Sequence, residues 1–433
     1  MANRARAEWD SLREVLIHRP GIEMFFGLTE PYSFLYERAF SIDEAIYEHT
    51  TLEHALTEAG VEVRRLKRFA VDVEAKHPDF LDRVRNAILG IVHYTGPKAM
   101  VERSKLALRR NLDRFDAETL FNFLLLRPSV HLERHPGYRI VLPEVRLEVP
   151  LANLYFMRDQ QALSHGGFIL GRMSKPQRAN EPLLTGTLLK VGGCDIAGEV
   201  RAPGTFEGGD FMPMGSFALI GNGDRTNAAG IRQILAMPIG FDEVGVVHQP
   251  SHPAIPGNEL DPMIDMHLDT YFNVPGEGLA VGCTPLLNAA RVDVYHRHGR
   301  RGLVREPKTV SLTEYLKAKH FDVIPISTLE QMSYASNFLC LKNRHILAVE
   351  VEQEIDRVLA TLAQSARADP RRYNGLLRLA RRERAELSER NEFFPHLAAL
   401  RDHGVEATPL GLREITGGYG GAHCMTCVLG RSS

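Results

Sequence analysis

Arg13-Glu-Val-Leu-Ile-His18, stopped by Arg19-Pro20-Gly21, is followed by a helix-like stretch over 42–60 and then by Val61-Glu-Val-Arg-Arg-Leu66. The two short runs rich in branched apolar residues read as strands, and the longer stretch between them as a helix. A strand, a helix and a strand within about sixty residues make an α/β unit. Further along, Leu81, Val84, Ile88 and Ile91 form a helical stripe, with more helical stretches near 103–115 and 117–126. The span 73–135 therefore reads as an all-helical insertion.

From 139 to 326 the pattern turns to short glycine-flanked strands: Gly167–Gly171, Phe217–Gly221, Val244–His248, Met266–Phe272 and Gly278–Gly282. A helix falls near 229–236. After 337–351 a second helical block covers about 352–400, with Ile355, Val358, Leu359 and Leu362 on one face. Its charged run, 371–392, reads as a solvated face. The chain closes on Ile415-Thr-Gly-Gly-Tyr-Gly-Gly-Ala-His-Cys-Met-Thr-Cys-Val-Leu429, a glycine-rich loop entering a last strand.

The 433 residues carry a net charge of −2, which gives no support to binding nucleic acid or a membrane surface. The first ten residues lack the apolar core of a signal peptide, and no apolar run is long enough to span a bilayer. Five scattered cysteines, at 194, 283, 340, 424 and 427, are not a disulfide framework and suit a reducing cytoplasm.

Several stretches carry groups able to do chemistry. The terminal loop presents Cys424 among Gly417, Gly418, Gly420 and Gly421, which permit close approach to a ligand. Competing readings are a buried bystander thiol, or a redox or metal pair with Cys427. A zinc deaminase would need Pro-Cys-x-x-Cys, and Ala422-His423 stands where the proline belongs. Met266-His-Leu-Asp-Thr270, taken as a strand, puts His267 and Asp269 on one face. Glu207-Gly-Gly-Asp210 flanks a glycine pair with carboxylates, and Asn153-Leu-Tyr-Phe-Met-Arg-Asp159 and Gly221-Asn-Gly-Asp-Arg-Thr226 add further polar sites. Each alone fits an ordinary salt bridge or turn.

Together they form a parts list. A guanidinium is planar and permanently charged, and carboxylates match its fork. Breaking its C–N bond calls for several carboxylates, a strong nucleophile and a proton donor for the leaving nitrogen.

In this order and spacing the motifs resemble the arginine deiminases of the guanidino-group-modifying superfamily. Leu12-Arg-Glu-Val-Leu-Ile-His-Arg-Pro-Gly-Ile-Glu23 matches that family's opening signature, and His423-Cys-Met-Thr-Cys427 its close. The resemblance implies a single catalytic domain over 1–433: a five-bladed α/β propeller (pentein) of ββαβ units carrying the helical insertion. It also implies covalent hydrolysis of L-arginine to L-citrulline and ammonia through a Cys424 S-alkylthiouronium, with His267 as general acid and base. Asp159 and Asp269 would clamp the guanidinium, with Glu207 assisting proton transfer. Asn153, Arg178 and Arg225 would hold the α-carboxylate and Phe156 would pack on the stem. No metal or organic cofactor is required.

The same residues could serve another guanidino compound, a double hydrolysis or an amidinotransferase. In the family an arginine commonly lies five residues before the nucleophile; here that substrate-facing position is Tyr419, one cation fewer. Tyr32–Arg38 lacks the family's acidic pair, and the 352–400 block is longer than the usual connection, its role open. The implied partner is a small guanidino molecule, in the cytoplasm, with a homo-oligomer left open.

Overall fold

Ser11–Ile17 is a strand, Ile42–Glu58 a helix and Glu62–Arg65 a second strand, parallel to the first with Val15 opposite Val63. These assignments come from a computed structural model, which describes residues 3–76, 79–134, 137, 141–147, 149–257, 261–299 and 302–432. The helix begins where Ser41 accepts the Glu44 N–H, with Asp43 and Glu44 facing its positive end. It buries Ala45, His49, Leu52 and Leu56 on one face. It ends at Gly60, whose positive φ of 78° suits glycine and lets Val61 N–H reach back to the Leu56 carbonyl. The last strand, Cys427–Ser432, runs antiparallel to the first with Val428 opposite Val15, so both ends of the chain build one sheet.

That unit recurs. An antiparallel strand pair, a helical crossover and a parallel third strand also occur in 161–164, 167–170 and 196–199, and in 211–213, 218–222 and 243–248. Two more lie in 272–276, 279–283 and 322–326, and in 339–342, 345–349 and 406–410. The result is a mixed α/β fold with five related three-stranded units among the described residues, the one in 211–248 widened to a five-stranded sheet by Arg291–Arg297 and Leu303–Ser311. Their middle strands are buried apolar runs (Val15–Ile17, Leu219–Ile220, Ile346–Val349), as strands covered on both faces must be.

The span 73–135 is not wholly helical. Helices Leu66–Lys76, Asp79–Ile91, Lys98–Leu112 and Ala117–Leu126 are joined by strands His93–Thr95 and Pro128–Arg134, which pair with Val141–Leu147 in a small sheet. The helix stops because Arg127 takes left-handed backbone (φ 50°) ahead of Pro128, which has no N–H to continue it. In the second helical block, Val351–Ala368 and Pro370–Arg390 pack together, and Ile355, Val358 and Leu362 are buried with Leu359 beside them. No helix among the described residues is long and apolar enough to cross a membrane.

Candidate active site

Each repeat contributes to one cluster from the same place, the turn that enters its first strand. Asp159 precedes 161–164, Glu207 and Asp210 precede 211–213, and His267 and Asp269 precede 272–276. Asn337 precedes 339–342 and Cys424 precedes 427–432. Repetition of the unit is what converges residues far apart in sequence. All of these side chains are buried.

His267 and Asp269 do not lie on a strand. His267 is extended, Leu268–Thr270 forms a 3₁₀ turn and the strand begins at Phe272. Asp210 causes this by accepting the Leu268 N–H at 3.0 Å, which draws the backbone into the turn. Both side chains still face the cluster: a Cβ on Gly209 would lie 2.8 Å from His267 Nδ1 and 3.0 Å from Asp269 Oδ1. Glycine is required there, and at Gly418, where a Cβ would come within 1.9 Å of the Tyr155 hydroxyl. Gly420 likewise leaves room for Phe156, so the loop lies directly on that ring.

Around Cys424, Asn337 Nδ2 donates to Sγ at 3.1 Å, while its Oδ1 accepts the N–H groups of Gly421 (2.8 Å) and Cys424 (3.1 Å). Cys424 Sγ lies 3.7 Å from Asp269 Oδ2, which also accepts from His423 Nδ1 at 2.7 Å. Glu8 completes the back wall, 3.0 Å from Arg431 Nη2 and 3.5 Å from Arg158 Nη1. Facing these, His267 Nε2 is 3.0 Å from Glu207 Oε2, and its Nδ1 is 3.9 Å from Asp159 Oδ1. Arg178 binds Asp159 Oδ2 at 2.5 Å and Glu181 at 2.8 Å, and its Nη2 reaches the Asn153 carbonyl at 3.4 Å. Arg225 Nη1 stands 3.9 Å from Glu207. Asp159 Oδ1 and Asp269 Oδ1 are both buried without a hydrogen-bond partner, an expensive arrangement for carboxylates unless a cation completes it.

The charges are strongly coupled. Burial alone would lower the His267 pKa, but Asp159, the hydrogen bond to Glu207 and Asp210 outweigh it and raise it to about 9. Burial works against ionisation of Glu207 too, yet His267 and Arg225 bring that carboxyl down to about 2. Burial pushes Asp210 up to about 6. The Cys424 thiol is driven well above its ordinary value by burial and by Asp269 and Asp159, with the Asn337 bond opposing. The cluster thus holds a protonated imidazole beside anionic carboxylates and a thiol that ionises only when positive charge arrives.

A family model described as arginine deiminase matches residues 32–431. The chain belongs to the arginine deiminase family. It is 25% identical to an arginine deiminase of Halobacterium salinarum over 99% of this chain and 96% of that protein. It is 24% identical to one of Limosilactobacillus reuteri, over 98% and 97%. In fold it resembles an amidinotransferase of a saxitoxin biosynthetic pathway from Microseira wollei: 14% identity, TM-score 0.52, 99% of this chain and 97% of that one. Membership makes it an enzyme acting on amidine C–N bonds.

Within this arginine deiminase family member, Cys424 and Cys427 are both free, and Cys427 Sγ points to its neighbour's carbonyl rather than into the cluster. Among the described residues, the atoms placed closely enough to hold a metal ion are those of Asp159, Glu207 and His267. With Arg178 on Asp159 and the imidazole protonated at neutral pH, this trio presents a donor where a metal needs a lone pair. Tyr419 is half-buried in left-handed backbone (φ 72°) on the loop over Phe156, and burial raises its phenol pKa. Asn337, His423 and Glu8 escaped the sequence reading. His423 stood inside a quoted motif, but nothing local marks Asn337 or Glu8, whose partners lie 87 and 415 residues away.

Proposed function

We propose that this protein hydrolyses L-arginine to L-citrulline and ammonia through a covalent adduct on Cys424. The observation that carries the reading is the pair of unpartnered carboxylate oxygens, Asp159 Oδ1 and Asp269 Oδ1, buried beside the thiol. A guanidinium between them satisfies both, and its charge lowers the thiol pKa where the protein alone raises it. The proton of Cys424 passes to solvent as the cation binds, and the thiolate attacks the guanidinium carbon. The C–N bond breaks as His267 protonates the departing nitrogen, and ammonia is released. Water then adds to the S-alkylthiouronium carbon, giving a proton to His267. The C–S bond breaks, and the ureido product leaves with the thiolate restored.

In this reading Glu207 keeps His267 charged and helps move the proton. Asn153, Arg178 and Arg225 receive the α-carboxylate, Arg178 exchanging one of its present carboxylate bonds for it. Phe156 packs on the stem and Tyr419 borders the far end. The five ββαβ units would close as a five-bladed propeller around the cluster, forming one catalytic domain with 73–135 as an insertion and 352–400 as a buttress for the terminal loop. No cofactor takes part, and a cytoplasmic setting fits the free thiols.

The test is to incubate the protein with L-arginine, agmatine and other guanidines, with and without an amine acceptor, following ammonia and ureido product by mass spectrometry. Citrulline and ammonia in equal amounts from arginine is the expected result. Amidino transfer to the acceptor would replace the hydrolase reading, and ornithine as end product would replace single hydrolysis. No turnover of any guanidine would overturn the proposal.

A further inference from the structure

A second concavity shares no residue with the cluster around Cys424. It lies where the N-terminal segment, bridged at Ala7 to Met214, meets the turns at 214–217 and 277–278. Its volume is about 540 Å³, within the range of about 300–1,000 Å³ seen for ligand pockets. Its apolar wall is aromatic. Trp9, the only tryptophan in the chain, is half-buried there with its ring centre 5.8 Å from that of Phe321, which in turn meets Phe217 at 6.2 Å. Two of the charged groups on the lining are already engaged: Lys319 binds Glu243 at 2.5 Å, and Asp10 Oδ2 accepts the Ala7 N–H at 3.1 Å. Arg6 and Glu277 differ, being exposed and making no ion pair among the described residues. Arg6 Nε donates to the Gly215 carbonyl at 3.2 Å, and Glu277 is held through its backbone N–H on Asn343 at 2.9 Å. A base and an acid that share a cavity without pairing, beside an aromatic wall, match a molecule carrying both charges and a ring.

The cavity backs onto the catalytic cluster. Glu8 stands between Ala7 and Trp9 in the chain, and its buried carboxylate lies 3.0 Å from Arg431 Nη2 and 3.8 Å from His423 Nε2. Arg431 Nη1 also donates to the Asp10 carbonyl at 2.7 Å. His423 holds Asp269, whose Oδ2 is 3.7 Å from Cys424 Sγ. A ligand against Trp9 therefore bears on a chain of contacts that ends at the thiol.

We propose that this cavity binds an aromatic α-amino acid, with its carboxylate at Arg6, its ammonium at Glu277 and its ring against Trp9, and that occupancy changes the reactivity of Cys424 through Glu8 and His423. Neither clause depends on which guanidine the enzyme hydrolyses.

As the sole tryptophan, Trp9 is a built-in reporter. L-Phenylalanine is titrated into the whole protein while indole fluorescence is excited at the red edge of its band, where phenylalanine does not absorb. The controls are phenylpropanoate, which lacks the ammonium, and phenethylamine, which lacks the carboxylate. A saturable change in Trp9 emission is expected, with phenylalanine binding about tenfold tighter than either control, or more. Arg6→Ala and Glu277→Ala, both at exposed positions, should each weaken phenylalanine by about tenfold and leave the thermal melt unchanged. In the wild type, saturating phenylalanine should change the rate at which iodoacetamide alkylates Cys424, read by mass spectrometry, by about twofold or more. At the same concentration that change should be lost in both variants. An unmoved Trp9 emission, equal binding of a control lacking one charge, or binding unaffected by either substitution would overturn the proposal. So would an unmoved alkylation rate, or an alkylation effect that survives in both variants, which would place phenylalanine at the catalytic cluster instead.

Discussion

Asp269 and His423 are joined by a 2.7 Å hydrogen bond within the protein, His423 Nδ1 donating to Asp269 Oδ2. The bond turns the other oxygen, Oδ1, toward the cluster, where it has no partner. One carboxylate thereby holds the structure with one atom and leaves the other for the guanidinium of the proposed reaction.

His423→Ala should release that carboxylate from its orientation. A misplacement of about 1 Å can cost roughly a hundredfold in rate, so kcat should fall by about ten- to a hundredfold in the variant. Steady-state kinetics on L-arginine check this, with circular dichroism to establish that the variant is folded. His423→Asn, which keeps a side-chain donor, should recover part of the loss.

Asn337 offers a different signature. Its Nδ2–H donates to Cys424 Sγ and favours the thiolate, against burial and the neighbouring carboxylates. Removing it in Asn337→Ala should raise the thiol pKa further. Alkylation of Cys424 by iodoacetamide, followed against pH, should then require more alkaline solution than in the wild type.

In the proposed mechanism His267 and Glu207 should set the alkaline limit. With the imidazole raised to about 9, the general acid is protonated below that value and lost as pH climbs through it. The profile of kcat/KM should therefore fall above about pH 9. Because the hydrogen bond to Glu207 is one of the causes of that rise, Glu207→Gln should move the falling limb to lower pH and reduce the maximum.

The motifs carrying Cys424, His267, Asp269, Glu207 and Asp159 were legible because guanidinium chemistry calls for those residue types and their order resembles that of the arginine deiminases. Their convergence was not legible, since it depends on five sheets meeting at equivalent turns. Alternation on a strand was the wrong reason for His267 and Asp269 to share a face. A carboxylate from another repeat, Asp210, makes the turn that aims them. The strands at 93–95 and 128–134 were hidden inside a span whose helical periodicity is strong on either side, with Gly96-Pro97 and Pro128 marking the breaks. Partners across long sequence separations, such as Glu8 with Arg431, leave no periodic trace at all.

Glu354 links the second helical block to the catalytic loop, accepting from Thr416 Oγ1 while its Oε1 is buried unpartnered. Burial raises its pKa from 4.5 to about 7, so charging it opposes folding. The penalty is absent below the unfolded value, grows between the two and is complete above about pH 7. Glu354→Gln should therefore stabilise the protein at pH 8, by on the order of 1–3 kcal/mol, and leave it unchanged near pH 4. Thermal melts at the two pH values test the sign.

The central claim is that Cys424 makes and breaks the bond to the guanidinium carbon. Citrulline formation from L-arginine by Cys424→Ala, beside the wild type and with arginine binding measured by calorimetry, tests it most directly. The expected result is a folded variant that still binds arginine and forms no citrulline above the uncatalysed background. A variant that binds arginine and turns it over would contradict the account.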